Sequence, residues 1–444
     1  MPYSRAMRRL STAVRWVLRR SPWTKRLAKR AMAALLRIGT RPRELFDRRV
    51  PEHLDPELLL ARTDELNAAA ERYYAEYPDP EFILDKPFTE EEEFPRRLFD
   101  LGVLFHALRL SPNDVVLELG AGSCWVSHFL NRYGCKTIAV DVSETALGLG
   151  RELFRRSSLT RWDAEPEFVV YDGRRIPLPD GACDKIVIND AFHHFPNPAE
   201  VLGEMARVLS PGGIVAMVEP GPGHADTEDS RREVETTGVL ENEIVLGRLD
   251  AMARRAGFTE VALVPLSLSH AREVPVAELG TVSEVEGLLD QWAALAGGPH
   301  YIVLHKGRWL PTTRSPEELD ARIEILDPLP REGVRAAPGE SVSLRIGIAN
   351  RGDTRWLATA VERPGWTRLG VHLHDASGEL LDFNWLRASL PGDLDPGEEA
   401  RMQVELPAIG TPGTYRLVFD LVAEHVLWFE QSGSRTVEVR LEVV

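Results

Sequence analysis

The spacing of apolar positions shifts as the chain is read, and each shift predicts a different architecture. From Arg5 to Arg20, Met7, Leu10, Val14, Val17 and Leu18 recur at helical spacing, with Arg8, Arg9, Arg15 and Arg19 on other faces. Ser21-Pro22 ends that helix and starts a second, on which Leu27, Ala31, Leu35 and Ile38 share a face. Residues 51–110 read as short helices punctuated by Pro51, Pro56, Pro78, Pro87 and Pro95. From residue 111 solid apolar runs alternate with helical ones. Strands are expected at 114–119, 137–141, 167–171, 185–190 and 213–219, and helices at 123–133, 143–155 and 198–209. Asn197-Pro198 starts the last of these helices, and Pro211-Gly212-Gly213 should stop it in a tight turn. Apolar segments at 261–266 and 301–305 flank a helix at about 282–296 and supply two more strands. Alternating β and α elements predict a doubly wound, mainly parallel sheet with right-handed crossovers.

After linker-like residues Pro311–Pro316 the period falls to two. Strands are expected at 341–349, 368–374, 401–406, 414–421 and 435–443, with turns at Asn350–Asp353, Asp375–Gly378 and Pro396-Gly397. That spacing predicts an all-β sandwich. The resulting divisions are a basic helical arm (1–50), a helical cap (51–110), an α/β domain (111–310) and a β-sandwich (318–444).

The densest chemistry lies between Val115 and Asp141, VVLELGAGSCWVSHFLNRYGCKTIAVD. Glu118 and Asp141 stand at the tips of two successive strands, and Gly120 and Gly122 occupy the turn after the first. Glycines let backbone approach a ligand that a Cβ would displace, and the following helix offers unpaired N–H groups to it. An acid placed like Asp141 can accept from two ribose hydroxyls. A dinucleotide fingerprint would need a third glycine where this chain has Trp125, and an acid placed like Glu118 suits an ammonium group instead.

This acid-x-G-x-G turn resembles the first motif of the class I S-adenosylmethionine (SAM)-dependent methyltransferases. Asp172 follows a strand where that superfamily places an acid accepting the adenine amino group. Cys183-Asp184 leads into the fourth strand as the family pattern does, and Ala206–Gly213 resembles its R-V-L-x-P-G-G stretch. The resemblance covers about residues 80–305. It implies a seven-stranded Rossmann-like sheet with an antiparallel final strand and SAM as cofactor. It also implies Ala121, Val142, Gly173, Asn189 and Asp190 beside that cofactor, with Glu118, Gly120, Gly122, Asp141 and Asp172.

A methyl acceptor must lie over the carboxyl edge of the sheet, and a hydroxyl acceptor must lose a proton there. The loop Asn189–Phe195 after the fourth strand offers His193 and His194 as general bases; a loop-organising role is the plainer reading of that pair. Glu219 and His224, after the fifth strand, are the rival bases, and Glu241 and Asn242 sit where they reach back over the acceptor. No metal is expected, because adjacent histidines with His224 and Glu219 match no known ligand spacing. Tyr73, Tyr74, Tyr77 and Phe88 are candidates to line the site from the cap, each with ordinary packing as the plainer reading. A short-chain dehydrogenase would need Tyr-x-x-x-Lys, which does not occur.

Charge changes the picture at one end. The net charge is −15, yet residues 1–50 hold 15 Lys+Arg against 2 Asp+Glu and the remainder 38 against 66. A basic head on an acidic body is expected to seek an anionic membrane surface rather than nucleic acid. A solvated tail, packing on the body and a targeting peptide have the same composition. Three cysteines at unrelated spacing suggest reduced thiols and a cytoplasmic protein on the inner face of a membrane. The all-β region resembles immunoglobulin-like modules beside bacterial polysaccharide-synthesis enzymes, through N350-RGDTRW356, Leu390–Glu398 and PGTYRLVFDLVAEHVLWF at 412–429. Trp356, Trp366, Trp385 and Trp428 invite sugar stacking, with core filling as the plainer reading. Together these parts predict O-methylation of a sugar hydroxyl on a cell-envelope glycan or lipid-linked precursor. Two alternatives stand beside it: methylation of a small aromatic or quinone-like lipid, and a non-catalytic membrane-tethered binding module with a vestigial site.

Overall fold

The computed structural model describes residues 56–89, 93–266, 298–328, 333–358 and 364–444. The expected arm over 1–50 and the helix at about 282–296 lie outside these residues. Among the described residues no helix is long and apolar enough to cross a membrane. The chain divides into two compact units: one holds the described residues up to Gly307, and the other holds Arg308–Val444 with the short segments Ser111–Asp114 and Tyr133–Lys136.

The first unit is built on a seven-stranded sheet. Its strands are β1 (Val115–Leu119), β2 (Lys136–Asp141), β3 (Glu167–Val170), β4 (Cys183–Asn189), β5 (Leu209–Glu219), β6 (Glu260–Val264) and β7 (His300–His305), in the order β3-β2-β1-β4-β5-β7-β6. β2 with β3, β1 with β4 and β4 with β5 pair in parallel, whereas β7 runs antiparallel to both β5 and β6. β1 is buried along its whole length, as a central strand covered on both faces must be. Leu117, Ile138, Ile186, Val215 and Ile302 carry the core across five strands. Strand order reverses beside β1, so the carboxyl tips of β1, β2 and β4 open one crevice.

Helices flank this edge. Among them are α1 (Pro56–Ala61), α2 (Thr63–Ala75), α3 (Pro80–Leu84), α4 (Phe94–Ala107), α5 (Trp125–Tyr133), α6 (Glu144–Arg156) and α7 (Pro198–Val208). Ser143 caps α6 through its side chain, which accepts from Ala146 N at 3.0 Å. Asn197 stands at the N-cap of α7, but its amide donates to Gly173 O at 2.9 Å and Glu200 Oε2 at 2.8 Å rather than capping. Pro211-Gly212-Gly213 corrects the expected tight turn. α7 does stop at Val208, but β5 begins at once and absorbs the glycines in a bulge: Cys183 pairs with Leu209, then Lys185 with Ile214. Gly212, at φ 76°, donates to Lys306 O at 2.6 Å, so the residue after β7 holds the bulge in place.

The second unit contains a three-stranded sheet, β13-β10-β8, and a six-stranded one that includes β12-β11-β14-β16-β9. The five expected strands are β10 (Val342–Asn350), β11 (Thr367–Asp375), β13 (Glu399–Leu406), β14 (Gly413–Ala423) and β16 (Val437–Val443). Also present are β8 (Ala321–Ile325), β9 (Val334–Ala336), β12 (Leu380–Ser389) and β15 (Leu427–Trp428). β12 escaped the sequence pattern because it is an edge strand whose pairing with β11 slips at Val371–His374, which breaks the two-residue alternation. Both sheets share one core, with Ile346 and Val404 from one and Leu369, Phe419 and Leu441 from the other. The stretch expected as a linker is fixed within this unit: Arg355 N donates to Pro311 O at 2.8 Å and buried Thr313 Oγ1 donates to Gly365 O at 2.6 Å. Trp356 is fully buried against Phe429, and Trp428 lies under the Arg387 guanidinium, so neither offers an open ring to a sugar. Trp366 and Trp385 are half-buried, the former beneath Arg368.

Candidate active site

The turn after β1 adopts backbone that side chains resist. Gly120 and Gly122 have φ of 71° and 50°. A Cβ on Gly120 would stand 2.7 Å from Ala191 Cβ, and one on Gly122 would stand 2.5 Å from Tyr74 Oη. Both glycines therefore serve conformation and close approach together.

Glu118 and Asp141 line one cavity of about 360 Å³, within the range of small-molecule sites. Glu118 Oε2 accepts from Ser127 N at 2.8 Å and Ser127 Oγ at 2.5 Å, at the first turn of α5. Burial pushes its carboxyl up to about 8, against the lowering effect of Ser127 and with a further push from the Asp141 charge. Asp141 Oδ2 accepts from Gly122 N at 2.8 Å and Oδ1 from Ser143 N at 2.9 Å. Burial raises its carboxyl above the ordinary range despite these bonds.

Helix α2 closes one wall. Leu66, Asn67, Ala70, Tyr73 and Tyr74 lie on its cavity face at helical spacing. Glu71 accepts from Ser143 Oγ at 2.6 Å and Thr145 Oγ1 at 2.5 Å, and Asn67 Nδ2 donates to Asp172 O at 3.0 Å. The cap is thus fastened to the tips of both β2 and β3. Tyr73 and Tyr74 line the cavity as expected candidates; Tyr77 stacks on Phe82, and Phe88 is largely exposed beside Phe94. Asn67 was not anticipated, since nothing local distinguishes an asparagine on an amphipathic helix.

Ala121, Val142, Gly173, Asn189 and Asp190 also line the cavity, but Asp172 does not. Its exposed carboxylate accepts from Arg174 N at 2.8 Å and Arg175 N at 2.7 Å, and these backbone bonds hold it below the usual range. Both of these bonds fall on Oδ1, which leaves Oδ2 for the expected adenine contact, and Gly173 lines the cavity.

The second wall is ionic. Asp190, at φ 55°, opens into the cavity and leads into a 3-10 turn, Phe192–His194. Glu219, at the tip of β5, accepts from Phe192 N at 2.9 Å, His193 N at 3.1 Å and His193 Nδ1 at 2.8 Å. It is fully buried and absent from the cavity lining, so its candidacy as base is corrected to that of a loop staple. His193 is buried, which lowers its basicity, but Glu219, Asp190 and Glu241 together hold it above the ordinary value. His194 moves the other way, to about 4, through burial and the neighbouring His193 charge. Its Nδ1 donates to Leu240 O at 2.5 Å. His224 lines the cavity and donates from Nε2 to Glu241 Oε2 at 2.5 Å. The Glu241 carboxyl is held low: burial acts to raise it, and His224, His194 and His193 more than offset that. Lys86, Arg97 and Glu233 complete the charged lining.

Residues 117–217 match the family model described as a methyltransferase domain. A sarcosine/dimethylglycine N-methyltransferase of Halorhodospira halochloris is 32% identical over 113 residues, which cover 25% of this chain and 39% of that protein. A demethylmenaquinone methyltransferase of Mycolicibacterium vanbaalenii is 29% identical over 202 residues, covering 45% of this chain and 78% of that protein. A solved SAM-dependent methyltransferase from Aquifex aeolicus superposes with a TM-score of 0.34 at 20% identity, covering 51% of this chain and 97% of that one. The chain spans less than two thirds of the first curated relatives it matches, 39%, 59% and 19% of their lengths.

Proposed function

We propose that this methyltransferase domain, whose cofactor is S-adenosylmethionine, O-methylates a sugar hydroxyl of a cell-envelope glycan or its lipid-linked precursor. The observation that carries its cofactor half is the convergence of Glu118, Asp141 and the Gly120–Gly122 turn on one cavity. These residues fit the cofactor: a buried carboxylate for its ammonium, an acid at the ribose position and backbone with no Cβ beneath it. Bound there, the cofactor would supply an electrophilic sulfonium methyl for the acceptor oxygen, whose proton the protein would take.

The protein's part is positioning and proton removal. His224 is the best-placed base, with Glu241 orienting its ring as a carboxylate orients a catalytic histidine. His193 faces carboxylates at both ring nitrogens, which suits it to holding the loop.

The lining of acids, imidazoles, Lys86 and Arg97 supports a polar, hydroxyl-rich acceptor. It weighs against carrying over the quinone acceptor for which the demethylmenaquinone enzyme is named. The basic residues 1–50 suit attachment to the cytoplasmic, anionic face of a membrane, where a lipid-linked acceptor resides. We take the all-β unit as an immunoglobulin-like module.

Calorimetric titration with SAM tests the cofactor, and binding no tighter than millimolar would favour a vestigial site. Mass spectrometry of envelope glycans with and without the gene tests the acceptor; an unchanged methylation pattern would reject it. Liposome flotation of full-length protein against protein lacking residues 1–50 tests the arm, and equal flotation would reject it.

A further inference from the structure

We propose that His193, His194 and Glu241 bind one divalent transition-metal ion at the acceptor end of the cavity. One ring nitrogen of each histidine and one Glu241 oxygen all lie within 4.8 Å of one another. His193 Nε2 is 3.7 Å from Glu241 Oε2. Ligands at about 2.0–2.2 Å from a zinc ion stand a little over 3 Å apart, so small side-chain shifts bring this set into range.

The surroundings are those of a ligand set. Imidazoles that bind metals fix their second nitrogen on a carboxylate or a backbone carbonyl, which sets the tautomer and ring direction. His193 places Nδ1 on Glu219 at 2.8 Å, and His194 places Nδ1 on Leu240 O at 2.5 Å. Glu241 is itself held, by His224 Nε2 at 2.5 Å. Glu219 and Glu241 are 1% and 8% exposed, and His193 between them is the charge partner that a bound dication would replace.

Two imidazoles and a carboxylate suit zinc or a neighbouring first-row ion better than magnesium. All three residues line the cavity, so an ion there would keep a side open to ligand. It would polarise an acceptor hydroxyl, which deepens the proposed function and rests on the acceptor entering at this end. Sequence spacing argued against a metal because the set it offered, adjacent histidines with His224 and Glu219, matches no known ligand pattern. The fold puts Glu219 behind His193 and brings Glu241 forward from another segment.

The test is calorimetric titration of chelator-stripped, full-length protein with Zn²⁺ alone. The expected result is uptake of one equivalent, weakened at least tenfold in His193→Ala and in Glu241→Gln. Glu219→Gln should weaken it by about 10–100-fold, as loss of an outer partner does. SAM affinity measured on each variant reports whether the fold survives; His194→Ala is the substitute for any variant that loses it. Absence of stoichiometric uptake, or uptake unchanged in the folded variants, would overturn the site. Failure of SAM to bind while zinc does would instead strike the cofactor reading.

Discussion

Glu219 Oε2 accepts from His193 twice, from the backbone N–H at 3.1 Å and from Nδ1 at 2.8 Å. One buried carboxylate at the tip of β5 thereby fixes both the path of the loop after β4 and the rotation of its central imidazole. Glu219→Gln keeps the volume but turns one acceptor into a donor facing N–H groups. The expected loss is about 1–3 kcal/mol in urea unfolding. An unchanged midpoint would show that the loop does not depend on this staple.

Proton linkage at Glu118 gives a second prediction. Its carboxyl titrates near 8 in the unliganded protein, so it is mostly protonated at neutral pH. An ammonium arriving beside it favours the ionised form. SAM binding at pH 7 should therefore release close to one proton, falling away as pH rises past about 8. Binding enthalpy measured in buffers of different ionisation enthalpy reads this directly. No buffer dependence would mean that Glu118 does not meet the cation.

The two candidate acids for the nucleoside should separate cleanly. Asp141 lines the cavity and Asp172 does not. Asp141→Asn should weaken SAM binding roughly tenfold or more, the cost of a charged hydrogen bond. Asp172→Asn should change it by less than about threefold, because Asp172 stands outside the cavity lining. Equal losses would restore Asp172 to the adenine.

Gly122→Ala should cost stability for two separable reasons, the backbone at φ 50° and the approach of Tyr74 Oη. Tyr74→Phe removes the approaching oxygen but not the backbone strain. The double variant should recover part of the loss, measured as melting temperature in a double-mutant cycle. Full recovery would deny the conformational share, and no recovery would deny the contact.

In the second unit, burial raises the carboxyl of fully buried Asp420 to about 6, against its bonds from Glu430 N and Leu421 N. The folded state then holds its proton more tightly than the unfolded chain. The associated stability is complete below about pH 4 and is lost as pH rises through about 6, on the order of 3 kcal/mol. Hydrogen exchange of β14 amides should speed over that window, and Asp420→Asn should flatten the response.

Local sequence decided what depends on neighbours along the chain. Solid apolar runs placed the central strands, because a strand covered on both faces has no polar side to show. The glycines at 120 and 122 announced a turn that only residues lacking Cβ adopt comfortably, and the acids at 118 and 141 marked two strand tips. Tertiary structure decided every relationship that needs distant segments to meet. Asn67 reaches the end of β3 across 105 residues, and Glu241 joins Glu219 around the histidines from a separate segment. Asp172 keeps the expected position, and one of its carboxylate oxygens holds its own loop. Periodicity reports which face of an element is buried; it carries no record of which partner lies against that face, since burial is satisfied by any apolar neighbour while a carboxylate answers only to the donors that the fold brings within reach.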